Sequence, residues 1–172
     1  VFEKVTPKGK PVIVHEVLDG TQTVYIPEGQ TTAIDSETQD QIAFPDEEVS
    51  IIDTFFFKNL IPGTEYTLDG RVMLKGTGEE IESALTEAEF AQADGTETTG
   101  TISVADNVVT FTPDQKNGAI KLTFVIDGSN LAGEDTVIFE RSYHNGKEVI
   151  IHENIDDKNQ TVQYPDGHTQ AA

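Results

Sequence analysis

The chain has 172 residues, with 31 acidic against 11 basic and a formal net charge of -20, and 36% of its residues are hydrophobic. That length suits one domain with a real core, and nine Phe and four Tyr argue against wholesale disorder. The acidic excess excludes nucleic acid as a partner, because binding a polyphosphate rests on Lys and Arg releasing counterions, and the absence of Cys excludes disulfides and thiolate metal sites. No run of 18 apolar residues and no signal-like start is visible, so a soluble segment without membrane insertion is expected.

Taken in order, the elements read as β. Residues 49–57 alternate Val49, Ile51, Asp53, Phe55 and Phe57 with Ser50, Ile52, Thr54 and Phe56, a strand rich in Ile and Phe. Pro62-Gly63 marks a tight turn, and a strand over 65–74 ends near Gly76-Thr77-Gly78. Residues 85–93 (LTEAEFAQA) are the one place where helix propensity is high, and a turn of helix fits there; the polar 94–100 reads as a surface loop. Further strands are expected over 107–112, 119–126, 135–143, 148–152 and 160–164, with His144-Asn145-Gly146-Lys147 as a hairpin turn. Short strands at this spacing predict an all-β sandwich.

The chain also repeats itself. Residues 1–34 align with 138–172 after a single-residue gap near Thr21, matching Phe2 with Phe139, Glu3 with Glu140, Gly9 with Gly146, His15 with His152, Gln22 with Gln160, Pro27 with Pro165 and Thr31 with Thr169. A period that long is a whole domain. The expected organisation is the closing strands of a preceding repeat over 1–26, one complete repeat over 27–164, and the start of a following repeat over 165–172.

Five polar residues of the complete repeat stand out: Thr31, Asp53, Glu140, His152 and Gln160. All but Asp53 recur in the flanking pieces. Asp53 shares the parity of Val49, Ile51, Phe55 and Phe57 and so faces an apolar layer, where a carboxylate is costly unless protonated or paired. Gln160 shares the parity of Val162 and Tyr164, which turns its amide inward.

At PEGQTTAID, SIIDTFFFKNLIPGTEYTLDGRVM, TVIFE and HENIDDKNQTV the chain resembles the Thr-Gln ester-bond domains, or VaFE repeats, of Gram-positive surface adhesins, over about residues 27–164. The resemblance implies an immunoglobulin-like β-sandwich, one unit of a tandem-repeat stalk. In such a unit the hydroxyl of Thr31 attacks the side-chain amide of Gln160 to give an ester and ammonia, assisted by Asp53, Glu140 and His152. It implies an extracellular protein anchored to the bacterial cell wall. Its partners would be neighbouring repeats, with a host-surface ligand bound through another part of the full protein. No cofactor or metal is implied, and the reaction is an intramolecular single turnover rather than enzyme activity. The chemistry is reasonable on its own terms: a weak hydroxyl nucleophile and an unreactive amide need a base, a proton for departing ammonia and a place for the oxyanion.

Other readings stand beside this one. Thr32 competes with Thr31 as nucleophile. The sandwich could present loops such as 94–100 to a host molecule as a ligand-binding adhesin module, carry a Lys-Asn isopeptide cross-link, or use Asp53 and Glu140 as glycosidase carboxylates, although their inward parity argues against an open cleft. Asp135, Glu153, Asp156 and Asp157 fit a solvated acidic surface better than a calcium loop. His15, His144, His152 and His168 show no spacing suited to zinc, and no Gly-x-Ser-x-Gly elbow marks a hydrolase.

Overall fold

A computed structural model describes residue 24, residues 26–167, and the backbone of Lys4–Val5 and Ile13–Val14. Most of 1–26, including His15 and Gln22, and residues 168–172 lie outside the described residues. Strands β1 (Lys4–Val5) and β2 (Ile13–Val14) pair with each other, antiparallel. The other strands form two sheets, and no helix occurs among the described residues.

The first sheet runs in the order β3 (Glu28–Asp35), β4 (Val49–Lys58), β11 (Gly118–Ile126), β7 (Ser83–Ala93), β8 (Thr96–Glu97). The second runs β13 (Lys147–His152), β12 (Asp135–His144), β5 (Tyr66–Leu74), β10 (Val108–Pro113), β9 (Gly100–Ala105). In addition, β14 (Thr161–Gln163) pairs with the start of β12, and β6 (Glu79–Ile81) pairs with β5. The expected two-layer sandwich is what the sequence builds.

Strict alternation explains the layering. Along β4 every odd position from Val49 to Phe57 is buried and the intervening positions are only partly covered, the pattern of a strand with one face on a core. Phe55, Phe57, Phe111, Phe124, Leu68, Ile120, Leu122 and Ile138 fill the space between the sheets, each essentially inaccessible. At the end where β3 begins, the Phe111 ring lies 6.0 Å from Phe57 and 5.6 Å from Tyr66. Burying such side chains contributes about 1.5–3 kcal/mol each, so this layer, rather than the polar residues in it, holds the sheets together.

Two expectations fail. Residues 85–93 are not helical but form most of β7. The strand carries a bulge: Leu85 opposes Phe124 and Glu87 opposes Thr123, so Thr86 is the extra residue and Leu85 and Ala88 come to the same face. Pairing along the whole of β11 then overrides helix propensity. Nor is 94–100 one open loop. Asp94 and Gly95, both at positive φ (52° and 77°), make a two-residue hairpin turn into β8, and β9 already begins at Gly100. The hairpin at His144-Lys147 forms as expected, with Asn145 and Gly146 at φ 49° and 71°.

Candidate functional site

The five residues come from both sheets and meet in the core. In the first sheet Thr31 opposes Phe55 and Ala33 opposes Asp53, so Thr31 and Asp53 are diagonal neighbours on the inner face. In the second, Glu140 and His152 are direct cross-strand partners of β12 and β13. Gln160 lies just before β14, and the chain beside it is tied to the edge of β3 by Ala33 N–H donating to Asn159 O at 2.8 Å. Gly29 permits the close approach of β3 to β13, because a Cβ there would lie 2.4 Å from Ile150 Cγ2. Thr31, Asp53, Glu140 and Gln160 are each 0% exposed. Thr32 takes the opposite face of β3, lining a shallow surface with Gln30, Phe56 and Lys58.

Polar contacts link the five into one network. Thr31 Oγ1 lies 3.0 Å from His152 Nδ1. Gln160 Nε2 donates to Asp53 Oδ1 at 3.2 Å and to Glu140 Oε1 at 3.3 Å. His152 Nδ1 is also 3.5 Å from Glu140 Oε2, while its Nε2 is 3.1 Å from Asp157 Oδ2. A carboxylate only accepts, so Asp157 fixes the ring proton on Nε2, leaves Nδ1 with its lone pair, and makes the Thr31 hydroxyl the donor.

Burial governs the two inner carboxyls. Asp53 is held protonated well above the ordinary carboxylate range, first by desolvation and then by the neighbouring charge of Glu140. Glu140 is pushed up to about 8, again mainly by burial, with hydrogen bonding to Asp53 and Thr31 pulling the other way. The pair therefore retains a proton at neutral pH. Asp53 Oδ2, Glu140 Oε2 and Gln160 Oε1 are all buried without a hydrogen-bond partner, and only one other described side-chain atom, Ser142 Oγ, shares that condition.

Three parts of the site were not singled out from sequence. Asp157 entered that reading only among surface acids, yet it is the group that orients His152. The other two are Arg71 and Arg141, which clamp Glu153, the residue after His152. Arg141 Nε and one terminal nitrogen of its guanidinium donate to the two Glu153 oxygens at 2.6 and 2.7 Å, and Arg71 adds a further bond. The only signal for any of these is the acidic spacing after His152. Among the described residues no group of three or more His, Asp or Glu is arranged to hold a metal ion.

A buried Thr hydroxyl on an oriented imidazole, beside an amide held by two protonatable carboxyls, is the local arrangement that amide-to-ester exchange requires. The family model of the T-Q ester bond containing domain matches residues 27–164. The chain belongs to that family. Among solved structures, this T-Q ester bond domain is similar to a bacterial adhesin from Mobiluncus mulieris containing intramolecular disulfide, isopeptide and ester bond cross-links, seen in two crystal forms. The identity is 14% in both, with TM-scores of 0.53 and 0.52, over 83% of this chain. At that identity the likeness speaks for the fold alone, and the chain spans 58% of the length of that adhesin. No curated protein matches the chain.

Proposed function

We propose that this T-Q ester bond domain is a stalk unit of a bacterial cell-surface adhesin, locked by a self-formed ester between Thr31 and Gln160. The observation that carries the reading is the placement of the Gln160 amide nitrogen against both Asp53 and Glu140 in a buried pocket that also holds Thr31. In the reaction His152 Nδ1 takes the Thr31 proton as Oγ1 bonds to the Gln160 amide carbon. The carboxyl pair gives its proton to the amide nitrogen, the C–N bond breaks and ammonia leaves. His152 then returns its proton to Glu140, 3.5 Å away, so the site ends in its starting protonation state. Nothing external is consumed, which makes the chain its own substrate rather than an enzyme.

Burial weighs against the rival chemistries. A glycosidase needs its carboxylates at an open cleft, and both of these are closed off. A Lys-Asn cross-link needs a buried lysine, and no lysine among the described residues is buried.

The bond also fits a mechanical role. Strand registers put the start of β3 and the end of β14 at opposite ends of the sandwich. Tension entering at Glu28 therefore reaches Thr31 within three residues, crosses to Gln160, and leaves past Tyr164, largely bypassing the hydrogen bonds of the sheets. The tandem arrangement draws support from β1 and β2. They pair Lys4 with Val14 and Val5 with Ile13, and shifted by the repeat offset this is the β12–β13 register of Arg141 with Ile151 and Ser142 with Ile150. Ligand recognition then falls to another part of the full protein, with neighbouring repeats as this domain's partners.

Intact mass tests the proposal. The folded chain is expected to be lighter than its sequence by one ammonia, with a cross-linked peptide pair containing Thr31 and Gln160; an unshifted mass from folded protein would refute it. Thr31→Ala or Gln160→Ala should abolish the loss and lower stability by about 4–5 kcal/mol, the loop-closure term for roughly 130 residues. Thr32→Ala should leave the bond intact.

A further inference from the structure

The two ends of the sandwich carry apolar side chains that its own core does not use. At the trailing end, where β14 leaves, Ile42 and Phe44 are 42% and 61% exposed. Their loop is fastened to the exit strand: Ala43 N–H donates to Gln163 O at 2.9 Å, Gln163 N–H donates to Gln41 O at 2.8 Å, and Ile42 bridges Gln163. At the leading end, where β3 enters, Ile61 is 58% exposed in the turn after β4, and Asn59 Nδ2 donates to Ile26 O at 2.9 Å. Both patches thus sit where the chain passes from one repeat to the next.

The joint between repeats is very short. By the offset of 138, Val24, Ile26 and Pro27 correspond to Val162, Tyr164 and Pro165, and Glu28, which opens β3, corresponds to Asp166. Val162 and Tyr164 are core residues here, whereas Val24 and Ile26 are 81% and 75% exposed, as expected of a closing strand away from its own sandwich. In a following repeat that opens at the equivalent of Glu28, as this one does, only Tyr164 and Pro165 separate the end of β14 from its first strand. Tyr164 is itself fixed, its N–H donating to Glu134 O at 3.0 Å and its O accepting from Gly133 N at 2.7 Å. That leaves Pro165 alone, with its φ locked by the ring. Two residues span at most about 7 Å, so the trailing end of one repeat must lie against the leading end of the next.

We infer that the trailing-end surface around Ile42 and Phe44 is a docking site for the leading end of the following repeat, around Ile61 and Pro62, so that adjacent repeats form one stiff joint. The loop 36–48 carries Glu37, Asp40, Asp46, Glu47 and Glu48 with no Lys or Arg, while the leading end is mixed, with Lys58 and Lys147 beside Glu28 and Glu65, all exposed, so only its lysines complement that loop. The inference rests on the tandem-repeat reading, so its test is built to separate the two.

The test extends the 172-residue chain after Ala172 by a second copy of residues 35–172, which completes the following repeat begun at Pro165. Loss of two ammonias, read by intact mass, reports that both repeats close; loss of only one would overturn the tandem reading and this inference with it. With both closed, the rotational correlation time from backbone 15N relaxation is expected to roughly double relative to the 172-residue chain, because the repeats tumble together. Ile42→Ser with Phe44→Ser in the first copy, or Ile61→Ser in the second, should return it towards the single-repeat value with both ammonias still lost. Independent tumbling of the two closed repeats, or rigid tumbling that the substitutions do not loosen, would overturn the docking surface alone.

Discussion

Two clusters of charged side chains flank His152 and treat their charge in opposite ways. On the inner side Asp53 and Glu140 meet no Lys or Arg among the described residues, and burial keeps them protonated. On the outer side Glu153 is met by Arg141 and Arg71, and its carboxyl is held below the ordinary range, chiefly by hydrogen bonding to Arg141. The first arrangement stores a proton where ammonia must be released. The second stores none and acts as a strut that fixes the end of β13, and with it the imidazole. Burial without a counter-charge makes a reagent; partial exposure with one makes a fastening.

The contrast is open to direct attack. Replacing the inner carboxyls should have the largest effect: Asp53→Ala and Glu140→Ala, like His152→Ala, are each expected to give a folded domain whose ester forms slowly or not at all. The loss should be about 10²–10⁴-fold, the range a positioned acid or base contributes. Circular dichroism checks the fold and intact mass over days gives the rate. Wild-type rates in all three folded variants would reduce these residues to ordinary core positions.

A smaller effect is expected on pH dependence, best read in a Thr31→Ala background where no bond masks it. Glu140 holds its proton in the folded state up to about 8 and in the unfolded state only to its ordinary 4.5. The folded state thus binds more protons between those values, and stability falls as pH rises through that window. Urea midpoints should show this slope, and adding Glu140→Gln should flatten its part while leaving the slope due to the remaining acidic charge. An unchanged slope would mean that Glu140 ionises normally in the fold.

The smallest effect belongs to the strut. Glu153→Gln is expected to leave the ester forming, slowed by less than about fivefold, since a partly exposed ion pair holds geometry only weakly. A loss as deep as that of the inner carboxyls would make the two clusters equivalent and sink the contrast.

Legibility in the sequence followed the same line. Asp53 could be placed inside because it sits on an alternating strand, where parity with Phe55 decides the face, and Gln160, just ahead of β14, because it keeps the phase of Val162 and Tyr164. Asp157 could not, because it lies in a turn with no periodicity, and its meeting with His152 depends on how 153–160 fold back. Arg71 reaches Glu153 from β5, 82 residues away in sequence, through a register that no local pattern encodes. Around β7 local propensity misled, since the Ala-, Glu- and Gln-rich run 85–93 favours helix and only its pairing with β11, distant in sequence, makes it a strand.

Because Thr31 and Gln160 are wholly shut away from solvent, the ester we propose outlasts its own chemistry. An ester hydrolyses far more readily than the amide it replaces, yet water reaches this one only when the sheets part, so its lifetime is set by how often the domain opens. Hydrolysis is also not the reverse of formation. It returns the Thr31 hydroxyl but leaves a carboxylic acid where the Gln160 amide had been, and from there the bond re-forms only by expelling water, not ammonia. A repeat whose ester has hydrolysed would then differ in mass both from one still closed and from one that never closed.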